Sequence, residues 1–267
     1  MRLPLLLLVL LPFQSLLSEE ADGLEQVALR PVAALIIDDL GDRLHDGLRA
    51  INLPGEITYS ILPQTSFSSR LAEQAHRQGK EVMLHQPMQA VTEVAMGPGG
   101  LSMEMTRETF VQTLRANLAS VPHARGINNH MGSLLTTSPQ QMAWLMEEML
   151  RQGELFFIDS STTSQSVALK VALAYRLPGA RRNIFLDHER DETAIRRQFA
   201  HFIAQAQAVG VSLAIAHPYP ETLRVLEELL PEMRRQGVKL VPASQLIVHV
   251  NERRERLWQA SLSPLQR

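Results

Sequence analysis

Cysteine is absent from the 267-residue chain, and aromatic residues make up only 5% of it. Without cysteine there are no disulfides, thiol nucleophiles, iron–sulfur clusters or Cys-ligated zinc, so metal ligands must come from His, Asp and Glu. Few aromatics argue against a single-stranded nucleic-acid platform, which stacks bases on aromatic rings. No excess of one charge sign is present either, because 26 Lys and Arg residues face 28 Asp and Glu residues. The protein therefore has no large net positive charge that would attract nucleic acid or an anionic membrane.

The first 18 residues are predicted to be a signal peptide. Arg2 provides a short basic start, and residues 3–11 are apolar with Pro4 as the one interruption. Such a stretch is too short to span a bilayer core of ~30 Å and matches the apolar part of a secretory signal. Retention of the segment as a membrane anchor is the alternative. We expect a periplasmic or secreted protein without stable membrane insertion once the signal is removed.

Between two polar ends, apolar runs alternate with segments of helical periodicity. Residues 19–30 are predicted to be a linker and residues 251–267 a C-terminal tail. The runs predicted as strands are 32–37, 57–62, 81–84, 125–127, 155–158, 183–186, 211–216 and 239–241. The clearest predicted helices are 106–120, 139–151, 192–208 and 221–235.

This alternation predicts an α/β fold, a parallel sheet with crossover helices. Most of the apolar runs are continuous rather than alternating, as expected for strands that are buried on both faces. No linker-like stretch interrupts residues 31–250, so a single closed or nearly closed barrel is favoured over two domains. The irregular segment 86–105 is interpreted as a functional loop over one mouth of that barrel.

Polar side chains follow five of the predicted strands at the point where each strand ends. They are Asp38 and Asp39, His85, Asn128, Asn129 and His130, Asp159 and Ser160, and His217. In a barrel of parallel strands all carboxyl ends open on one mouth, so these residues are expected to converge on a single site. A strand-end Asp or Asn can instead cap the next helix or form a turn. Five such ends together favour a functional site.

The adjacent carboxylates Asp38 and Asp39 would repel each other if both were desolvated, so a buried pair requires a cation or a raised pKa on one carboxyl. A divalent metal meets this need, and two histidines with one carboxylate leave a coordination position open for water. Asp39, His85 and His130 can supply those ligands, and Asp38 is then free to take a proton from the water. The alternative is that the two aspartates only mark a strand-to-turn transition.

Six short motifs occur in order along the chain. They are Leu-Ile-Ile-Asp-Asp-Leu-Gly (35–41), Leu-His-Gln-Pro-Met (84–88), Gly-Ile-Asn-Asn-His-Met-Gly-Ser (126–133), Phe-Ile-Asp-Ser (157–160), Phe-Leu-Asp (185–187) and Ala-His-Pro-Tyr-Pro-Glu-Thr (216–222). With these motifs the chain resembles the divergent polysaccharide deacetylase family, related to nodulation-type chitooligosaccharide and peptidoglycan deacetylases. The resemblance implies a single distorted (β/α) barrel of about seven parallel strands. It also implies metal-assisted removal of acetyl groups from a glycan, with Zn2+ as the default metal.

The resemblance assigns roles to single residues. Asp38 matches the family's general base, Asp39 its metal-binding aspartate, and His217 the late histidine that protonates the leaving group. Typical members carry a second metal histidine at the position that Gln89 occupies here, so His130 is taken as the replacement ligand beside His85.

The remaining strand-end residues receive supporting roles. Asp159 is the nearest stand-in for the family residue that orients a catalytic group. Asn128, Asn129 and Ser160 are assigned to substrate binding. The Arg181-Arg182 pair fits either a contact with an anionic glycan or a solvated turn.

Two functions from different classes remain open at this point. The first is an exported, metal-dependent carbohydrate deacetylase with a glycan substrate and no nucleic-acid partner. The second is a non-catalytic envelope protein that uses the barrel cleft to bind a glycan or a protein partner. Retention of both aspartates and three strand-end histidines favours the enzyme, whereas the absence of the family's arginine and double-aspartate tryptophan motifs in their usual form favours the second. The oligomeric state is not predicted.

Overall fold

The computed structural model describes residues 30–262. The predicted signal peptide lies outside the described residues, as do the predicted linker apart from Arg30 and residues 263–267 of the predicted tail. Within the described part of the chain, no helix combines the length and the apolarity that are needed to cross a membrane.

A parallel sheet forms the centre of the fold. Its strands are β1 Val32–Leu40, β2 Thr58–Ile61, β3 Glu81–Met88, β4 Ala124–Met131, β5 Phe156–Asp159, β6 Gly179–Arg181, β7 Ile184–Phe185, β8 Val211–Ala216 and β9 Lys239–Leu240. The spatial order is β6-β5-β4-β3-β2-β1-β8-β7, with β9 paired to β1, and every pairing is parallel. No pairing in residues 30–262 joins β6 to β7, so the barrel is incomplete there. The predicted α/β fold with a distorted barrel is confirmed.

Helices connect most of the strands and cover the sheet. They are α1 Leu44–Ile51, α2 Ser68–Arg77, α3 Arg107–Ser120, α4 Pro139–Gln152, α5 Ala168–Ala174, α6 Glu192–Val209, α7 Pro220–Leu229 and α8 Ala243–Leu262. Helix α7 ends before the predicted residue 235, since Pro231 cannot continue an α-helix. Helix α8 runs past residue 250, so the segment predicted as a tail begins inside a helix.

Both faces of the central strands are buried, which explains their continuous apolar sequences. In β1, Ala33, Leu35 and Ile37 belong to the layer between sheet and helices. The alternate residues Val32, Ala34 and Ile36 belong to a second cluster, the barrel interior, together with Leu246 and Ile247 of α8. The period of two along a strand therefore separates the two layers, and α8 contributes to the inner one.

The sheet register brings the strand ends together at one mouth. Ile37 of β1 pairs with Ala216 of β8, so Asp38 and His217 follow adjacent strands at the same level. His85 of β3 pairs with Asn128 of β4. Side chains that are distant in sequence thus become neighbours because the strands are parallel and in this register.

Candidate active site

Three ligand atoms meet at the mouth of the barrel. Oδ1 of Asp39 lies 2.9 Å from Nδ1 of His130 and 3.1 Å from Nε2 of His85. The two ring nitrogens are 3.2 Å apart. Tetrahedral coordination with bonds of about 2.0–2.1 Å separates neighbouring ligand atoms by roughly 3.3 Å. The three separations are close to this value, so the residues fit a divalent metal ion.

The environment of Asp39 supports the same conclusion. Its Oδ1 is buried and forms no hydrogen bond of good geometry within the described residues, although two imidazole nitrogens face it closely. Burial alone would raise the pKa of Asp39, but the nearby His130 and His85 outweigh burial and hold the pKa well below its ordinary value. Asp39 therefore stays ionised, as a metal-ligating carboxylate must.

Asn128 fixes the imidazole of His85 from behind. The amide Oδ1 accepts hydrogen bonds from His85 Nδ1 at 2.8 Å and from Ser60 Oγ at 2.6 Å. A proton on Nδ1 leaves the lone pair of Nε2 directed at Asp39 and His130, which is the tautomer that binds a metal. Asn128 is fully buried and its amide bonds protein groups, so the geometry supports a positioning role, and substrate binding by Asn128 stays a prediction.

Asp38 lies beside this set but has a different environment. It is 2% exposed, and its Oδ1 accepts a hydrogen bond from Asn128 Nδ2 at 2.8 Å. Burial raises the pKa of Asp38, although the charges of His85 and His217 act in the opposite direction. Its Oδ2 is 3.6 Å from His85 Nε2. A buried carboxylate with a raised pKa next to a metal site is suited to accept a proton near neutral pH.

His217 faces the same site from β8 and is held by Asp187. Its Nε2 is 3.8 Å from Oδ2 of Asp39, whereas its Nδ1 lies 3.0 Å from Oδ1 of Asp187. The other oxygen of Asp187 accepts bonds from the backbone N–H of His217 at 2.6 Å and from Thr222 Oγ1 at 2.9 Å. Burial lowers the pKa of His217, but Asp187, Asp39 and Asp38 together raise it to about 9.

Asp187 therefore orients His217, whereas the sequence predicts a role of that kind for Asp159. The carboxylate of Asp159 accepts bonds from Arg181, from Ser166 Oγ at 2.9 Å and from the backbone N–H of Ser161 at 2.9 Å. These contacts secure the loop after β5 and do not include a candidate catalytic side chain, so the predicted orienting role of Asp159 stays a prediction without support from this geometry. The Phe-Leu-Asp motif at 185–187 was the signal that identifies Asp187.

A cavity of about 380 Å³ opens beside the three metal-ligand candidates. Its lining residues include Asp38, His85, Asn129, His130, Ser160 and His217. The amide of Asn129 bonds the backbone N–H of Ser160 at 2.9 Å and the carbonyl of Met131 at 2.7 Å, so it shapes the wall. The hydroxyl of Ser160 is buried and has no hydrogen-bond partner in residues 30–262.

A second cleft of about 260 Å³ is lined by Asp39 and His130. Residues Ala95, Met96, Gly97 and Pro98 line it, and they belong to the segment that was interpreted as a functional loop over the mouth. His130 lines both cavities, so this candidate ligand borders each of them.

Comparison with known proteins gives the family. The model of the divergent polysaccharide deacetylase family matches residues 35–247. The uncharacterized protein YibQ of Escherichia coli (strain K12) is 34% identical over 214 residues, which are 80% of this chain and 66% of YibQ. The aligned part thus spans just under two thirds of that relative.

Solved structures show the same fold. An uncharacterized protein from Agrobacterium tumefaciens C58 matches with a TM-score of 0.78 and 22% identity, over 82% of this chain and 90% of that one. The peptidoglycan deacetylase PdaC from Bacillus subtilis matches with a TM-score of 0.52 and 13% identity, over 88% and 98% respectively. The match over residues 35–247 shows that the chain belongs to the divergent polysaccharide deacetylase family.

Proposed function

We propose that the chain is an exported, metal-dependent hydrolase that removes acetyl groups from a cell-envelope polysaccharide. The observation that carries this proposal is the convergence of Asp39 Oδ1, His85 Nε2 and His130 Nδ1 within 3.2 Å of one another. Two histidines and one carboxylate are a common ligand set of catalytic zinc, so zinc is the metal we propose. The apolar segment 3–11 is the basis for proposing export.

When bound, the metal ion would supply a Lewis acid for the acetyl carbonyl and would lower the pKa of a water molecule. Asp38 would act as the general base and accept a proton from the attacking water. Its hydrogen bond from Asn128 fixes the carboxylate, and its burial raises the pKa toward the range in which proton transfer is efficient.

His217 supplies the proton that the leaving group needs. Its raised pKa of about 9 keeps the imidazole protonated at neutral pH. Asp187 holds Nδ1, which leaves the Nε2–H directed toward the site and able to donate when the bond between acetyl carbon and sugar nitrogen or oxygen breaks. The sugar amine or hydroxyl leaves with that proton, and acetate is the second product.

The substrate class rests on similarity. The peptidoglycan deacetylase PdaC shares the fold, and its name supports an acetylated envelope glycan as the substrate proposed here. The two clefts that share His130 give such a chain a path across the site. A non-catalytic envelope protein would need the same path but neither a metal ion nor the pairing of His217 with Asp187.

The proposal is tested by metal content and acetate release in purified variants. We expect wild type to bind about one zinc ion and to release acetate from acetylated chitooligosaccharides or peptidoglycan fragments, and chelation should abolish the release. His130→Ala should lose the metal, whereas Asp38→Asn should keep the metal and lose turnover. The exposed His201 of α6 offers a matched control, since His201→Ala removes an imidazole outside the site.

One outcome would contradict the proposed ligand set, and another would contradict the proposed activity. Full metal occupancy in His130→Ala would remove His130 from the ligand set and direct attention to Gln89 or a water molecule as the third ligand. Glycan binding that survives chelation, with no acetate detected across a panel of acetylated sugars, would favour the non-catalytic function.

A further inference from the structure

Arg182 lines the cavity beside Asp38 and His217 and has a fixed orientation. Its Nε donates to the carbonyl of Ser160 at 2.7 Å, and its Nη2 donates to the carbonyl of Ser161 at 3.0 Å. The guanidinium carbon lies 4.9 Å from the ring centre of Phe185. Two carbonyls and one aromatic ring therefore hold the guanidinium plane before any ligand arrives.

The charge of Arg182 has no direct counter-ion. Its neighbour Arg181 contacts the Asp159 carboxylate through Nε at 3.1 Å and Nη2 at 2.9 Å, whereas no carboxylate in residues 30–262 lies within ion-pair distance of Arg182. Burial lowers the pKa of Arg182, partly offset by Asp38 and Asp159, but a guanidinium remains charged in proteins. A partly buried cation has lost part of its hydration, and no opposite charge compensates for that loss here. An anionic group of a ligand would provide the compensating charge.

We infer that Arg182 is a specificity-determining residue that binds a carboxylate carried by the glycan close to the acetyl group. The inference rests on the proposed function and names its substrate class, an acetylated glycan that bears carboxylates. Phe185 separates Arg182 from His217, with ring centres of Phe185 and His217 5.4 Å apart. The carboxylate thus belongs to the acetylated sugar or to the sugar next to it.

The free donors of Arg182 favour a carboxylate. Nε and one N–H of Nη2 donate hydrogen bonds to backbone carbonyls. Nη1 has no hydrogen-bond partner in the described part of the chain. The edge formed by Nη1 and Nη2 remains, and two parallel N–H groups on such an edge match the two oxygens of a carboxylate. The unpartnered hydroxyl of Ser160 lines the same cavity and offers one further donor.

The test uses oligosaccharides that differ only in charge. Binding to the metal-loaded protein is measured by calorimetry for two acids and their methyl esters. One acid is a tetrasaccharide of alternating N-acetylglucosamine and N-acetylmuramic acid, which carries lactyl carboxylates. The other is an oligosaccharide of acetylated uronic acid, so the two pairs distinguish two sources of the same group.

We expect wild type to bind at least one acid about tenfold more tightly than its methyl ester. A tenfold ratio of dissociation constants corresponds to about 1.4 kcal/mol, which is the size expected for one charge-assisted contact. The ratio should fall to about one in Arg182→Gln and should be partly kept in Arg182→Lys. Arg197→Gln, the control, should keep the wild-type ratio because Arg197 is an exposed arginine of α6 outside the cavity. Unchanged binding of the ester by Arg182→Gln would show that the site remains folded.

The outcomes separate this inference from the proposed function. If neither acid binds wild type more tightly than its ester, or if Arg182→Gln keeps the preference, Arg182 does not bind a substrate carboxylate. Acetate release from acid and ester at equal kcat/KM would likewise exclude that role of Arg182 while retaining the deacetylase. A preference for the acid without any acetate release would retain the Arg182 site and reject the deacetylase.

Discussion

Asp187→Asn is the substitution that tests the assignment of His217 most directly. The carboxylate accepts bonds from His217 Nδ1 and from the backbone N–H of His217, and it is 3% exposed. Asparagine has nearly the same shape but no charge. Removing the negative charge destabilises the protonated imidazole, so the pKa of His217 must fall, and the alkaline limb of the activity profile must move to lower pH.

The size of the effect follows from the raised pKa. The pKa of His217 is about 9 against an ordinary value of 6.5. If the substitution restores the ordinary value, the protonated fraction at pH 8 falls from about nine-tenths to about one-thirtieth. We therefore expect kcat/KM at pH 8 to fall by about thirtyfold through protonation alone. At pH 6 both proteins hold mostly protonated His217, so the loss there measures orientation of the ring.

The assay is kcat/KM for acetate release between pH 5 and pH 10, with the NMR titration of the His217 ring as an independent readout. Both proteins carry the same ligand set at Asp39, so the comparison isolates Asp187. Thr222→Val is the matched control, because it removes a hydrogen bond to Asp187 at 2.9 Å but leaves the carboxylate in place. If the alkaline limb of the kcat/KM profile has the same apparent pKa in Asp187→Asn as in wild type, His217 is not the general acid.

Three further perturbations test the ligand set and its support. Asn128→Ala should lower the free energy of unfolding by about 2–3 kcal/mol, since it leaves buried polar groups unpaired, and should weaken metal affinity about tenfold to a hundredfold. Asp39→Gly and Asp39→Ala should both lose the metal, but the glycine variant should be more stable by about 1 kcal/mol, because φ is 57° at this position. Gly41→Ala should be destabilising, because its Cβ would lie 2.3 Å from Thr65 Oγ1 at a φ of 137°. Urea denaturation and metal titration provide these measurements.

Each of the three expectations has a contrary outcome, which for Gly41→Ala is an unchanged free energy of unfolding. Unchanged zinc affinity in Asn128→Ala would mean that His85 needs no support from behind. Equal stability of the two Asp39 variants in the presence of a chelator would mean that the positive φ carries no strain. A chelator should also lower the Tm of wild type and leave that of Asp39→Gly unchanged, since only the former has bound metal to lose.

The convergence of the site was predictable because it depends on few rules. Continuous apolar runs such as 32–37 marked buried parallel strands, and parallel strands open on one mouth. Asp38, His85, His130 and His217 therefore could be grouped without knowledge of the strand order. The strand order, with β8 beside β1, does not affect this grouping. Parallel strands place their carboxyl ends at the same mouth whatever their order.

The supporting residues were harder to predict because their roles depend on register. Asn128 supports His85 only because β3 and β4 pair at these two residues, and no local pattern specifies that pairing. Asp187 follows β7, a strand of two residues whose apolar signal is too short to be decisive. Asp159 has the same strand-end signal as a catalytic residue but faces Arg181 instead. Sequence identified where polar groups collect, but not which of them face each other.

Asp38 and Asp39 show how one dipeptide can supply two functions. Successive side chains of a regular strand point to opposite faces, so two adjacent carboxylates would not both reach the mouth. The left-handed φ of 57° at Asp39 breaks this alternation, and the pairing of β1 with β2 shifts register between Ile37 and Leu40. Asp38 stays buried against Asn128 with a raised pKa, while Asp39 turns toward the two histidines and its pKa falls. The strained backbone at Asp39 thus separates a proton acceptor from a metal ligand within two residues, which is the use of strain that functional sites commonly show.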